Sequence, residues 1–171
     1  MKKLLSLGLT FGVLLSAGFG IAGPNASAKL ELSCGSAQSG NVQTLDCVRD
    51  GRLQIRVAAI NVVDLDSYDF KLIYDRGCFE IIPGKVKEGP FLKSLGGTTF
   101  FQKDLSKPGV AWLSGSLAGK SRTVAPDGGG TLVLLEFTIL QPLESGRLLS
   151  DMFEIKDAVM WDSEIVEDRL K

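Results

Sequence analysis

The chain has 171 residues, 44% of them hydrophobic, and its 19 basic and 20 acidic residues give a net charge of −1. It contains no histidine, which excludes Ser-His-Asp and Cys-His catalysis and every zinc site that needs an imidazole. Basic residues are scattered singly among acidic ones, so we expect no nucleic-acid partner.

The N-terminus has the layout of a secretory signal peptide. Lys2 and Lys3 precede the apolar residues 4–22, and the small residues of Ala26-Ser27-Ala28 follow. A signal peptidase recognises this order. We therefore predict a signal peptide over residues 1–28 and one secreted domain over residues 29–171, either extracellular or periplasmic. The alternative is an uncleaved membrane anchor, because residues 4–22 are just long enough to span a bilayer. No other stable membrane insertion is expected.

The three cysteines all follow the signal segment, and an oxidising compartment permits disulfides. We predict a bridge between Cys34 and Cys47, which flank the short polar insert 35–46. Closing such a loop contributes about 3 kcal/mol in the chain-entropy model. Cys78 lies in the apolar run 78–82 and is predicted to be a small buried hydrophobe, because no histidine is present to activate its thiol.

Alternation of apolar and polar residues begins at Arg52 and is typical of β-strands with one buried face. The first apolar row consists of Leu53, Ile55, Val57 and Ala59. The second consists of Tyr68, Phe70, Leu72 and Tyr74, and Asp69, Lys71 and Ile73 take the opposite face. Asp75-Arg76-Gly77 then predicts a turn.

The remaining segments extend the same pattern to the C-terminus. Further strands are predicted over 78–82, 86–92, 98–103 and 110–117, separated by Gly and Pro turn signals. A Gly-rich turn over 127–130 precedes a central strand over 131–140 whose inward row is Val133, Leu135, Phe137 and Ile139. The last strand carries Phe153, Ile155, Val159 and Trp161 at one parity, so Trp161 is predicted to lie in the core. The pattern does not predict which face carries Trp112.

Nine or ten strands with almost no helical periodicity predict an all-β fold. Because the apolar faces need two sheets to cover each other, we predict one antiparallel β-sandwich of jelly-roll type with about nine strands.

Catalysis and cofactors have little support in the sequence. Carboxylates such as Asp64, Asp66, Asp69 and Asp75 suit turns and strand faces better than a glycosidase pair, so we predict a protein that is not an enzyme. No cofactor is predicted. A structural calcium ion is the alternative, because Asp64-Leu65-Asp66-Ser67 offers several oxygen ligands, although without EF-hand spacing.

Carbohydrate binding remains an open alternative. Trp112 and Trp161 are the only tryptophans, and no single strand carries three exposed aromatic residues. In this alternative, Trp112, or aromatic residues such as Tyr68 and Phe101 that are assigned to loops, would contact a polysaccharide.

The order of several short motifs resembles that of a cohesin module. They are Asp69-Phe70-Lys71-Leu72-Ile73-Tyr74-Asp75, Phe79-Glu80-Ile81, Glu88-Gly89-Pro90-Phe91-Leu92, and Gly128-Gly129-Gly130-Thr131-Leu132 with Phe137. The resemblance covers residues 53 to about 158. It implies a nine-stranded jelly roll, and no catalysis.

The resemblance also implies a partner. Cohesins bind small helical dockerin domains on one sheet face in secreted polysaccharide-degrading assemblies, so we expect a dockerin-like or other secreted protein here, in such an assembly or in the envelope. The matching strand implies that Ser67, Asp69, Lys71 and Ile73 form the partner-binding site. Asp69 takes the place of an acidic residue that contacts dockerin helices. Near Ser116 the family often has a carboxylate, which this chain lacks.

Overall fold

The computed structural model describes residues 24–34, 48–49, 51–118, 125–143 and 148–164. Short 3-10 turns lie at Pro24–Ser27, Pro83–Lys85 and Leu149–Asp151. The strands are β1 (Lys29–Cys34), β2 (Val48–Arg49), β3 (Arg52–Val62), β4 (Leu65–Tyr74), β5 (Phe79–Ile81), β6 (Lys87–Glu88), β7 (Thr98–Asp104), β8 (Val110–Ala118), β9 (Gly128–Ile139) and β10 (Phe153–Asp162). None of the helical segments in these ranges is both long and apolar enough to cross a membrane.

The strands form two antiparallel sheets. One has the order β1-β3-β9-β5, with β2 paired to β3 and β6 paired to β9, and the other has the order β10-β4-β8-β7. The predicted all-β sandwich of jelly-roll type is therefore confirmed. The described residues contain ten strands where about nine were predicted, and two of the ten, β2 and β6, are only two residues long.

The core lies between the sheets and follows the predicted alternation in β3 and β4. All four residues of each predicted inward row are buried. Phe137 of β9 is fully buried, and its ring packs edge-on against those of Tyr74, Phe79 and Phe153 at centroid distances of 5.1, 6.2 and 5.3 Å. Because these rings come from both sheets, Phe137 joins the two layers.

The glycines before the central strand do not form the predicted turn. They are part of β9. Gly128 is paired with Val62, and Gly130 with Ala59. A Cβ atom on Gly130 would lie 2.5 Å from the ring of Phe91. Glycine is needed here because the Phe91 ring packs directly on the β9 backbone.

The segment predicted as a strand over 86–92 is extended only at Lys87–Glu88. Phe91 and Leu92 then turn inward and are 7% and 2% exposed. The Phe91 N–H donates to the Thr131 carbonyl oxygen at 3.1 Å. The apolar residues of this segment thus fill the core from a loop, which sequence alternation alone does not distinguish from a strand.

A β-bulge reverses the side-chain parity of β10. The register with β4 shifts between Lys156 and Val159, and Asp157 within the bulge has a φ of 51°. An extra residue on one strand moves every later side chain to the other face. Before the bulge, Phe153 and Ile155 point towards the core, as predicted.

After the bulge the predicted inward positions are wrong. Met160 lies opposite the buried Tyr68 and packs against the core, whereas Val159 lies opposite Asp69 and Trp161 opposite Ser67. Directly paired residues point to the same side of a sheet. Val159, which is 45% exposed, and Trp161, which is half-buried, therefore face outward.

Two cysteine predictions have different outcomes. Cys47 lies outside the described residues, so the bridge to Cys34 stays a prediction. Cys78 is half-buried and packs against the core. Its thiol donates a hydrogen bond to Oδ2 of Asp75 at 3.2 Å. Of the predicted signal peptide, residues 1–23 also lie outside the described part of the chain.

Candidate protein-binding face

The outer face of the four-stranded sheet is the side turned away from the core, and none of its side chains is buried. We refer to it as the recognition face. Its side chains are Ser67, Asp69, Lys71 and Ile73 from β4, Val110, Trp112, Ser114 and Ser116 from β8, Phe100, Gln102 and Asp104 from β7, and Glu154, Lys156, Val159 and Trp161 from β10.

Strand β4 presents the four residues that the sequence singled out. Ser67, Asp69, Lys71 and Ile73 alternate with buried neighbours and form one column along the centre of the recognition face. The structure therefore brings this predicted set together, because a strand places every second side chain on the same side.

Trp112 lies beside this column, at a position that the sequence did not assign. Its neighbours Ala111 and Leu113 are both fully buried, so alternation turns the indole outward. Trp112 is 38% exposed and is paired directly with Lys71 of β4 and Asp104 of β7.

The Trp112 indole holds the carboxylate of Asp69. The indole N–H donates to both carboxylate oxygens of Asp69, with N–O distances of 2.8 Å. This contact runs diagonally between neighbouring strands, a distance that a large aromatic side chain can span. Each carboxylate oxygen keeps further lone pairs, so Asp69 is oriented and can still accept hydrogen bonds from a partner.

The two lysines of the recognition face are both engaged within the molecule. Lys71 Nζ lies 2.6 Å from Asp157 Oδ2, and Lys156 Nζ lies 3.0 Å from Glu154 Oε2. The hydrogen bond from Lys71 lowers the pKa of Asp157, and the same contact raises the pKa of Lys71. Both partners are exposed to water, which makes the pair a weak contributor to folding.

Asp104, on the edge strand β7, is held as a carboxylate. Its Oδ1 accepts a hydrogen bond from the Ser106 backbone N–H at 2.8 Å, and hydrogen bonds from Ser106 lower the pKa of Asp104. Within the described ranges no lysine or arginine forms a salt bridge with Asp69 or Asp104. The neighbourhood of Trp112 therefore carries two carboxylates that are outside any salt bridge, and the charge of Asp69 is the smallest of the contributions that raise the pKa of Lys71.

Exposed apolar residues are spread across the same face. Phe100 is 57% exposed and Val159 is 45% exposed, and they join Trp112 and the half-buried Trp161. Sequence reasoning missed Phe100, because adjacent phenylalanines leave open which of the two faces outward. It chose Phe101, which instead packs partly against the core.

Tyr68, also predicted to contact a glycan, is only 1% exposed. Its hydroxyl donates to the Leu132 carbonyl oxygen at 3.2 Å. Burial raises the pKa of Tyr68 far above its usual range. Tyr68 is thus a core residue, and that expectation was wrong.

The segment 64–67, which was the alternative site for a calcium ion, makes hydrogen bonds within the protein and is partly buried. The Asp64 carboxylate accepts hydrogen bonds from the backbone N–H and the hydroxyl of Ser163, and the Asp64 backbone N–H donates to Asp127 Oδ1 at 2.7 Å. Asp66 is buried within β4. Across the described ranges no group of three or more Asp, Glu, Cys or His residues is placed to hold a metal ion.

Comparison with known proteins was informative only at the level of structure. No family model and no curated protein sequence matches the chain. Among solved structures, the sixth cohesin from Acetivibrio cellulolyticus scaffoldin B, in complex with a mutant Cel5 dockerin, is similar with a TM-score of 0.53 and 17% identity. That match covers 67% of this chain and 78% of the cohesin. The chain has a cohesin-like fold.

Two further cohesins support the same conclusion. The cohesin module from a Clostridium perfringens ATCC13124 family 33 glycoside hydrolase matches with a TM-score of 0.50 at 10% identity, over 80% of this chain and 83% of the module. The second type II cohesin module of the Acetivibrio cellulolyticus adaptor scaffoldin ScaA also has a TM-score of 0.50, at 16% identity, over 73% of this chain and 70% of that chain. The resemblance inferred from the motifs is therefore confirmed at the level of the fold.

Proposed function

We propose that the protein is a secreted, non-catalytic binding module that docks a helical, dockerin-like protein on its recognition face. The observation that carries this proposal is the composition of that face, where exposed apolar residues surround the oriented carboxylate of Asp69. Specific interfaces combine apolar anchors, often tryptophan, with a few well-placed polar groups. The cohesin-like fold supports the proposal because the Acetivibrio cellulolyticus scaffoldin B cohesin was solved with a dockerin.

The absence of a reaction agrees with the chemistry of the face. The chain has no histidine, and Asp69 and Asp104 lie on an open sheet surface, where Asp104 is paired with Trp112 and Asp69 is diagonal to it. A glycosidase pair needs two carboxylates on either side of a scissile bond, in a site that encloses the sugar.

Secretion, and a role in a polysaccharide-degrading or envelope assembly, follow from the predicted signal peptide and form part of this proposal. In an oxidising compartment we expect Cys34 to be joined to Cys47, with the Cys78 thiol outside this bridge. Thiol titration of the denatured, unreduced protein should give one thiol per chain. Three thiols per chain would contradict oxidation, and N-terminal sequencing of the released protein would locate the cleavage.

The binding test uses two variants with the same change of charge. The purified protein is passed over the proteins released by its own source, the retained partner is identified and purified, and its affinity is measured by titration calorimetry. Asp69→Lys places a cation in the recognition face. Glu80→Lys places one on β5 of the other sheet, where Glu80 is also exposed.

We expect a retained helical partner whose binding is lost in Asp69→Lys and kept in Glu80→Lys. Equal binding by both variants would move the interface away from the recognition face. Failure of the native protein to retain any protein would overturn the proposed function.

Glycan binding is the second candidate, and the exposed ring of Trp112 favours it. A buried indole could not stack on a sugar, whereas Trp112 and Phe100 both offer accessible ring surface on one face. Retardation in native gels containing polysaccharide, lost in Trp112→Ala, would support this function. Unchanged migration would exclude it for the polysaccharides tried.

A further inference from the structure

The recognition face carries an unbalanced negative charge around Trp112. Its two lysines are engaged by Asp157 and Glu154 at 2.6 and 3.0 Å. Lys71 is the strand neighbour of Trp112, yet its ammonium group is held by the bulged Asp157 on β10. Neither lysine therefore forms a salt bridge with Asp69 or Asp104.

The three side chains form a compact arrangement of complementary parts. Asp104 is directly paired with Trp112 across β7 and β8, and such pairs have Cβ atoms about 4.5–5.5 Å apart. Asp69 is fixed on the other side by the two 2.8 Å contacts from the indole N–H. An exposed aromatic ring between two carboxylates attracts a cation through both its π-face and the flanking charges.

We propose that Trp112, Asp69 and Asp104 form a subsite that receives an arginine side chain from the protein partner. This inference rests on the proposed function of the recognition face and names the chemistry of the partner's central contact. Arginine fits the subsite better than lysine. Its planar guanidinium group can lie on the indole and still direct N–H donors to carboxylates on both sides, whereas an ammonium group is a compact and strongly hydrated charge.

The arrangement of Lys71 is consistent with such an occupant. A lysine in a salt bridge with Asp69 or Asp104 would compete with an incoming cation, and Lys71 makes its salt bridge with Asp157 instead. Asp157 in the β10 bulge is therefore the acid that pairs with Lys71. This leaves Asp69 and Asp104, beside Trp112, available to a cation from the partner.

The subsite can be tested without the partner. The protein is labelled with 15N, and its two tryptophan indole N–H signals are followed by NMR during titration with N-acetyl-arginine amide. N-acetyl-citrulline amide is the matched control, because citrulline has nearly the shape of arginine without its charge. Trp112→Phe assigns the signals, because it removes one of the two.

We expect a saturable shift of the Trp112 indole signal with the arginine amide and none with the citrulline amide. Asp104→Asn should weaken arginine binding about three-fold, the size of one exposed charge pair, and Glu80→Gln should leave it unchanged. A lysine amide should bind more weakly than the arginine amide.

Three results would overturn the inference. They are equal shifts with arginine and citrulline, no saturable shift with arginine, or full arginine binding in Asp104→Asn. The outcome is separable from that of the proposed function. If a partner is retained but arginine causes no response, the proposed subsite is wrong and the proposed binding function stands. If arginine binds but no partner is retained, the subsite stands and the proposal of a dockerin-like partner is wrong.

Discussion

On the outer face of the six-stranded sheet, Arg52 pairs with Glu136 at 2.7 Å, and Arg56 donates from Nε to the Ser33 hydroxyl at 2.9 Å. On the outer face of the four-stranded sheet, by contrast, Asp69 and Asp104 form no salt bridge among the described residues, and Trp112 and Phe100 are exposed. The first face also has a shallow depression of about 390 Å³ next to the glycines of β9, but no aromatic side chain lines it.

Both faces rest on one core, so folding alone does not require them to differ. On the six-stranded sheet Arg52 and Arg56 have partners within the molecule, whereas the recognition face directs an aromatic ring and two carboxylates to solvent. Exposed aromatic groups add little to a monomer, but they are the residues on which interfaces most depend. This difference favours the recognition face as the binding surface, and variants on the two faces test it.

The largest expected effect is a difference in the free energy of unfolding between a core variant and a recognition-face variant. Phe137→Ala removes a ring that packs against three others, and we expect it to lower the free energy of unfolding by about 3–5 kcal/mol. Phe100→Ala removes a ring that is 57% exposed and should change the same quantity by less than about 0.5 kcal/mol. Urea denaturation followed by circular dichroism measures both. A large loss in Phe100→Ala would assign that ring to the fold and remove it from the binding surface.

A second pair of variants compares the two outer faces directly. Trp112 and Leu134 are almost equally exposed, at 38% and 36%, but Leu134 lies on the six-stranded sheet opposite Arg56. Trp112→Ala should weaken partner binding by about 2 kcal/mol or more, which corresponds to about 30-fold. Leu134→Ala should leave it unchanged in the same calorimetric titration. If the two variants bind alike, the distinction between the faces does not govern recognition.

The contrast between β4 and β10 shows how far the sequence predicts the site. In β4 the alternation is unbroken from Asp66 to Tyr74, so the outward positions of Asp69 and Lys71 could be predicted. In β10 the bulge at Asp157 shifts the register, and Trp161 moves from the predicted core to the outer face. Because a bulge depends on pairing with the neighbouring strand, the local sequence pattern does not predict it.

The sequence also could not predict which side chains contact each outward-facing residue. Trp112 and Asp69 are 43 positions apart in the chain, and Lys71 and Asp157 are 86 apart. Such contacts depend on which strands become neighbours, and this follows from the topology of the whole sandwich. The sequence could therefore predict the fold class and the central strand of the site, but not the environment of Trp112 on the neighbouring strand.

The smallest expected effect tests whether Asp157 is the salt-bridge partner of Lys71. The Lys71 contact lowers the pKa of Asp157, so Lys71→Met should raise it towards the ordinary aspartate value, and Lys156→Met should change it less. NMR titration of the Asp157 carboxyl carbon measures this shift. The pair's stabilisation should disappear as the pH falls through the lowered pKa of Asp157, and also as it rises through the raised pKa of Lys71. An Asp157 pKa that is unchanged in Lys71→Met would show that Asp157 does not hold Lys71, and Lys71 could then compete at Asp69 with a cation from the partner.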